Sequence, residues 1–63
     1  MNEKTKRLVL KAFPGPVWAD LRKTIYGAKS LEELRTMTHY MLGGLGRARL
    51  ACLITNFPPD WNA

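Results

Sequence analysis

The period of apolar and polar positions changes along this chain, and its first stretch admits two periods at once. In residues 5–13, TKRLVLKAF, Leu8, Leu10 and Ala12 alternate with Arg7, Val9 and Lys11, as in a strand with one apolar and one basic face. The same residues fit a helix capped by Asn2, in which Leu8, Val9, Ala12 and Phe13 make the apolar stripe and Leu10 falls outside it. Few residues here are β-branched, but the cleaner alternation and the abrupt end at Pro14-Gly15-Pro16 tip the reading toward a strand.

Beyond the prolines the pattern is helical. Pro16 suits a first helical position, where its missing N–H costs nothing, and Val17, Leu21 and Ile25 then repeat every four residues, predicting a helix over 16–26. Gly27 is placed to stop it in a left-handed conformation. Ser30, with Glu33 three residues on, is a capping box that starts a second helix over 30–42, and Leu31, Leu34, Thr38, Met41 and Leu45 continue as a packing seam. Gly43 and Gly44 interrupt that seam, because two adjacent glycines cost roughly 2 kcal/mol in a helix interior. A third helix is expected over 47–55, with Leu50, Ala51 and Ile54 inward and Arg47 and Arg49 outward. Residues 56–63 then form a proline-broken tail, in which Trp61 either folds back as a clasp or anchors in a partner.

Size sharpens this picture. A chain of 63 residues is one small domain, and such a domain is marginal without a disulfide, a metal or a partner chain. Cys52 is the sole cysteine, so an internal disulfide is excluded and self-association becomes the expectation. Within the run Leu50 to Ile54, Cys52 reads as a buried, inert thiol, which also suits a reducing, cytoplasmic setting. His39 has no second histidine or cysteine at a ligand spacing and reads as a structural or surface residue. Gly43, Gly44 and Gly46 lack the strand and the Lys-Ser/Thr ending of a phosphate loop. No catalytic set, metal site or cofactor is expected, and no apolar stretch is long enough to span a membrane.

Charge supplies the positive signal. Ten Lys and Arg against five Asp and Glu give a net charge of +5, with an isoelectric point near 9.9, so polyanions are attracted at long range. Lys6, Arg7 and Lys11 on the opening stretch, Lys29 and Ser30 before the second helix, and Arg35, Arg47 and Arg49 further on are the candidate nucleic-acid contacts.

The order of a basic stretch, a proline, a helix with Val17, Leu21 and Ile25, and the turn "GAKSLEELR" over 27–35 resembles the ribbon-helix-helix DNA-binding proteins across residues 5–42. The resemblance implies a mainly α fold with a short N-terminal strand and two to three helices, forming an intertwined homodimer. It also implies that the paired strands enter the major groove, with Arg7, Val9 and Lys11 at base edges. On that reading the chain is a small transcriptional repressor or accessory protein of plasmid or phage type. The other fold reading is an all-α bundle of three or four short helices. The other functional reading is a helical module that docks on an acidic protein through Leu45, Leu50, Ile54 and Trp61, and RNA is a further polyanion that charge does not separate from DNA.

Overall fold

The computed structural model describes residues 1–63 and contains no strand. Four helices follow one another: α1 Glu3–Ala12, α2 Ala19–Tyr26, α3 Leu31–Thr38 and α4 Gly44–Thr55, with a single 3-10 turn, Pro16–Trp18, ahead of α2. The opening stretch is therefore a helix, and the strand expected over 5–13 is overturned. With it goes the two-stranded ribbon that the family resemblance implies. The helix wins because Asn2 caps it, its Oδ1 accepting from Thr5 N at 2.9 Å and from Thr5 Oγ1 at 2.7 Å, and because Thr5 and Val9, one turn apart, are both fully buried. Leu10, the residue that breaks the helical stripe, is left 48% exposed.

Pro14-Gly15-Pro16 turns the chain back on itself. Gly15 sits at φ 85° and ψ 169°, a conformation open essentially to glycine only. The 3-10 turn then sets Val17 outward, 83% exposed, so it does not join Leu21 and Ile25 in the core as the four-residue spacing predicts. Trp18 takes its place, half-buried, with its ring edge-on to Phe13 at 5.2 Å between centroids. Gly27 does end α2, but at φ −83°, with its N–H donating to the carbonyls of Lys23 and Ile25. The left-handed stop is absent.

Ser30 starts the next helix as its residue type predicts, its Oγ accepting from Glu33 N at 3.0 Å. This helix, α3, ends at Thr38, well short of 42. Leu34 and Thr38 are buried, whereas Met41 is 43% and Leu45 91% exposed, so the expected seam stops at Thr38. Gly43 is the N-cap of α4, which opens three residues earlier than expected and buries Leu50 and Leu53. Ala51 and Cys52 are exposed, so the expected buried thiol is an accessible one.

The core is built from Val9, Phe13, Leu21, Ile25, Ala28, Leu34, Leu42, Leu50 and Leu53. Here α1 is central: it packs on both α2 and α4, while α3 rests on α2. The tail folds back on the N-terminus. Asn2 N donates to Trp61 O at 3.0 Å, Asn2 Nδ2 donates to Asp60 O at 2.6 Å, and Trp61 is half-buried with its ring 5.7 Å from that of Phe57. Trp61 is thus a clasp within its own chain. No helix is long and apolar enough to cross a membrane.

Candidate nucleic-acid interface

The burial of Thr5 and Val9 decides which side of α1 meets solvent. Helical geometry places Lys4, Arg7 and Lys11 within about 60° of one another on the opposite side, and all three are exposed. They form a cationic ridge running about 10 Å along the helix, at 1.5 Å per residue. Leu10 flanks Arg7 on the same outer surface. Lys4 was not singled out by the strand pattern; it joins the ridge only when the period is 3.6.

Two of the candidate contacts go elsewhere: Val9, which the strand reading sends to the groove, and Lys6. Val9 is fully buried in the core and reaches no base edge. Lys6 is half-buried beside the ridge, with its Nζ 3.9 Å from Glu3 Oε1 and 5.6 Å from the Tyr26 ring centre. That pair is the one ion pair in the structure. Ten cations thus share one carboxylate contact; Lys4, Arg7 and Lys11 make no ion pair within the chain, and Glu3, one turn before Arg7, is the sole carboxylate of α1.

Other cations are already engaged within the chain. Arg22 Nη1 donates to Phe13 O at 2.6 Å and Gly15 O at 2.7 Å. Arg49 Nη1 donates to Ala12 O at 3.3 Å and its guanidinium lies 5.8 Å from the Phe13 ring centre. These two arginines, from α2 and α4, converge on the carbonyl end of α1, where the helix dipole is negative. Arg22 is a residue that sequence reasoning missed, since its role depends on a turn that brings a carbonyl nine positions away to its side.

Lys29 and Ser30 stand at the start of α3 and are exposed. The Ser30 hydroxyl is taken by Glu33 N, the Lys29 carbonyl accepts from Asn62 Nδ2 at 3.2 Å, and Glu32 and Glu33 occupy the first turn. That turn already carries its anions. Arg35 and Arg47 lie away from α1, on a groove between α3 and α4. Leu45, Leu50, Ile54 and Trp61 do not all share one surface: Leu50, largely buried, and Ile54 both line that groove, but Leu45 is exposed and is not among its lining residues, and Trp61 packs on Phe57. No group of three metal-ligating side chains comes together. No protein-family model, curated protein or solved structure matches the chain.

Proposed function

We propose that the protein binds duplex DNA through the outer face of α1, as a small regulatory or accessory protein. The observation that supports this reading most is the unneutralised ridge Lys4-Arg7-Lys11 on a helix whose opposite face is fixed in the core. Rigid presentation matters, because cations held in place on a helix lose less freedom on binding than cations on a mobile arm. An α-helix with its side chains is about 10–12 Å across and the B-DNA major groove is about 12 Å wide, so α1 has the dimensions to lie in it. There Arg7 would face base edges with Leu10 beside it for a thymine methyl, while Lys4 and Lys11 contact phosphates. The ridge lies within one chain and needs no second copy to form. A-form RNA offers a narrower major groove that side chains do not read, which sets DNA ahead of duplex RNA.

The test is anisotropy of a labelled random-sequence duplex, titrated over a range of salt, for the native chain and for Lys4→Gln, Arg7→Gln, Lys11→Gln combined. Each lost phosphate contact should lower the slope of log K against log salt by about 0.9, so the triple variant, which loses the two lysine contacts, should lose roughly 2 units of slope. An unchanged slope, or no binding of DNA at low salt, would remove the reading. Equal or tighter binding of an RNA duplex would assign the ridge to the other polymer.

A further inference from the structure

α3 rests on α2 and α4 rests on α1, which leaves an open groove of about 220 Å³ between α3 and α4. Its floor is apolar, made by Leu50, Ala51 and Ile54, and its rim carries two cations, Arg35 and Arg47, with the His39 ring beside them. No carboxylate lines it, nor the adjoining depression that shares Arg35 and His39 and adds Tyr40. Tyr40 is 94% exposed, its ring edge-on to His39 at 5.0 Å between centroids. Arg35 has no ion pair or side-chain hydrogen bond within the chain. Arg47 Nη2 donates to His39 O at 3.0 Å, which holds its guanidinium at the rim with other N–H groups still open.

We propose that this groove docks an acidic amphipathic helix of another protein, one large apolar side chain of that helix entering between α3 and α4 while carboxylates a turn to either side meet Arg35 and Arg47. The volume falls below the roughly 300–1,000 Å³ of small-molecule sites and accommodates a single anchor side chain. Helix-in-groove recognition uses anchors at one-turn spacing, which places flanking carboxylates over a rim of this kind. A second copy of the chain is a poor occupant, because it carries the same net charge of +5 and would set one cationic rim against another. A nucleic acid would leave the apolar floor unfilled.

The probe is a labelled synthetic helix of about four turns, on which helical spacing places one leucine anchor and glutamates three and four positions to either side. Anisotropy is measured with the native chain, with Arg35→Glu, and with Ala51→Glu. The Arg35 guanidinium makes no internal hydrogen bond and both Arg35 and Ala51 are exposed, so both variants should keep the native helical circular dichroism. Saturable binding is expected, weakened on the order of tenfold or more by either variant and by alanine at the probe's leucine. The Lys4, Arg7, Lys11 triple variant should bind the probe as the native chain does, which separates this groove from the α1 ridge. Absence of binding at about 1 mM, binding indifferent to Arg35 and Ala51, or displacement of the probe by duplex DNA would each overturn the proposal. A concentration-dependent dimer that Ala51→Glu dissolves would give the groove to a second copy instead.

Discussion

Arg22 reaches from α2 to Phe13 and closes the end of α1: its Nη1 donates to the Phe13 carbonyl at 2.6 Å and, on the far side of the turn, to that of Gly15 at 2.7 Å. One cation therefore holds the Pro14-Gly15-Pro16 reversal on which the packing of α2 against α1 depends. Arg49 makes a longer contact to the neighbouring Ala12 carbonyl, at 3.3 Å and exposed to solvent. Arg22→Ala should cost about 1.5–3 kcal/mol, the range of hydrogen bonds in which one group is charged. Arg49→Ala, which loses that longer bond and the contact with the Phe13 ring, should cost about 0.5–1 kcal/mol. Urea denaturation of the two variants checks the order; equal losses would deny Arg22 its special place.

Asn2 does three things at once, and its substitutions can separate them. The Oδ1 atom caps α1 and accepts from the buried Thr5 hydroxyl, while Nδ2 ties the helix start to the Asp60 carbonyl. Asn2→Asp keeps the acceptor and adds a charge that the helix dipole favours, so it should stay within about 1 kcal/mol of the native chain. Asn2→Ala leaves the Thr5 hydroxyl without its acceptor and should cost about 2 kcal/mol. Thermal melts compare them, and since roughly 4–8 °C corresponds to 1 kcal/mol in a domain of this size, the difference is readable.

Two glycines two positions apart in α4 should respond oppositely to alanine. Around Gly44 a Cβ would meet no atom within 4 Å, whereas at Gly46 it would lie 2.9 Å from Leu42 Cδ2 and 3.3 Å from Leu42 Cβ. Gly44→Ala should stabilise by about 0.5 kcal/mol through the unfolded chain's lost freedom. Gly46→Ala must displace Leu42, which is 6% exposed and part of the core, so it should gain nothing or lose about 1 kcal/mol. A stabilised Gly46→Ala would mean that Leu42 packs more loosely than the structure shows.

The exposed position of Cys52 gives a direct check on α4. One equivalent of thiol should react with an aromatic disulfide reagent in native buffer, at a rate close to that of the unfolded chain. Slow reaction relieved by denaturant would place Cys52 under cover. Either the helix would be turned about its axis or another chain would lie on it.

These checks fall where the sequence is ambiguous for physical reasons. Ser30 and Glu33 set the start of α3 through a bond three residues long, and a signal that local survives in any tertiary setting. Leu21 and Ile25 repeat every four residues and are buried as that spacing predicts. The opening nine residues carry both periods, and what separates them is Thr5, whose burial depends on the Asn2 side chain and is invisible to hydropathy. Thr38 is a second case, buried because its hydroxyl donates to Leu34 O at 2.8 Å. Along α4 only Arg47 and Arg49 mark an outer side, so the pattern puts Leu50 inward and leaves the rest of the apolar run open; the contact with α1 settles it, sending Leu53 inward and Ala51 and Cys52 outward. The candidate site follows suit. Arg7 and Lys11 are legible in either period, Lys4 only in the helical one, and the groove beside Arg35 and Arg47 only once α3 is seen to end at Thr38.

The α1 ridge makes a finer prediction than overall affinity. Lys4 and Arg7 are three residues apart and both exposed, yet Leu10 flanks Arg7 and not Lys4. If α1 lies in the major groove, Arg7→Ala should cost about 1–3 kcal/mol on preferred sequences and little on others, since a bidentate contact to guanine discriminates while a phosphate contact does not. Lys4→Ala should weaken every duplex by a similar factor and reduce the salt slope by about 0.9. Selection from a random duplex pool, followed by anisotropy on an enriched and an unenriched sequence, measures both effects. Should Arg7→Ala and Lys4→Ala act alike on the two sequences, α1 lies across the backbone and reads no base, and any selectivity comes from the shape of the duplex.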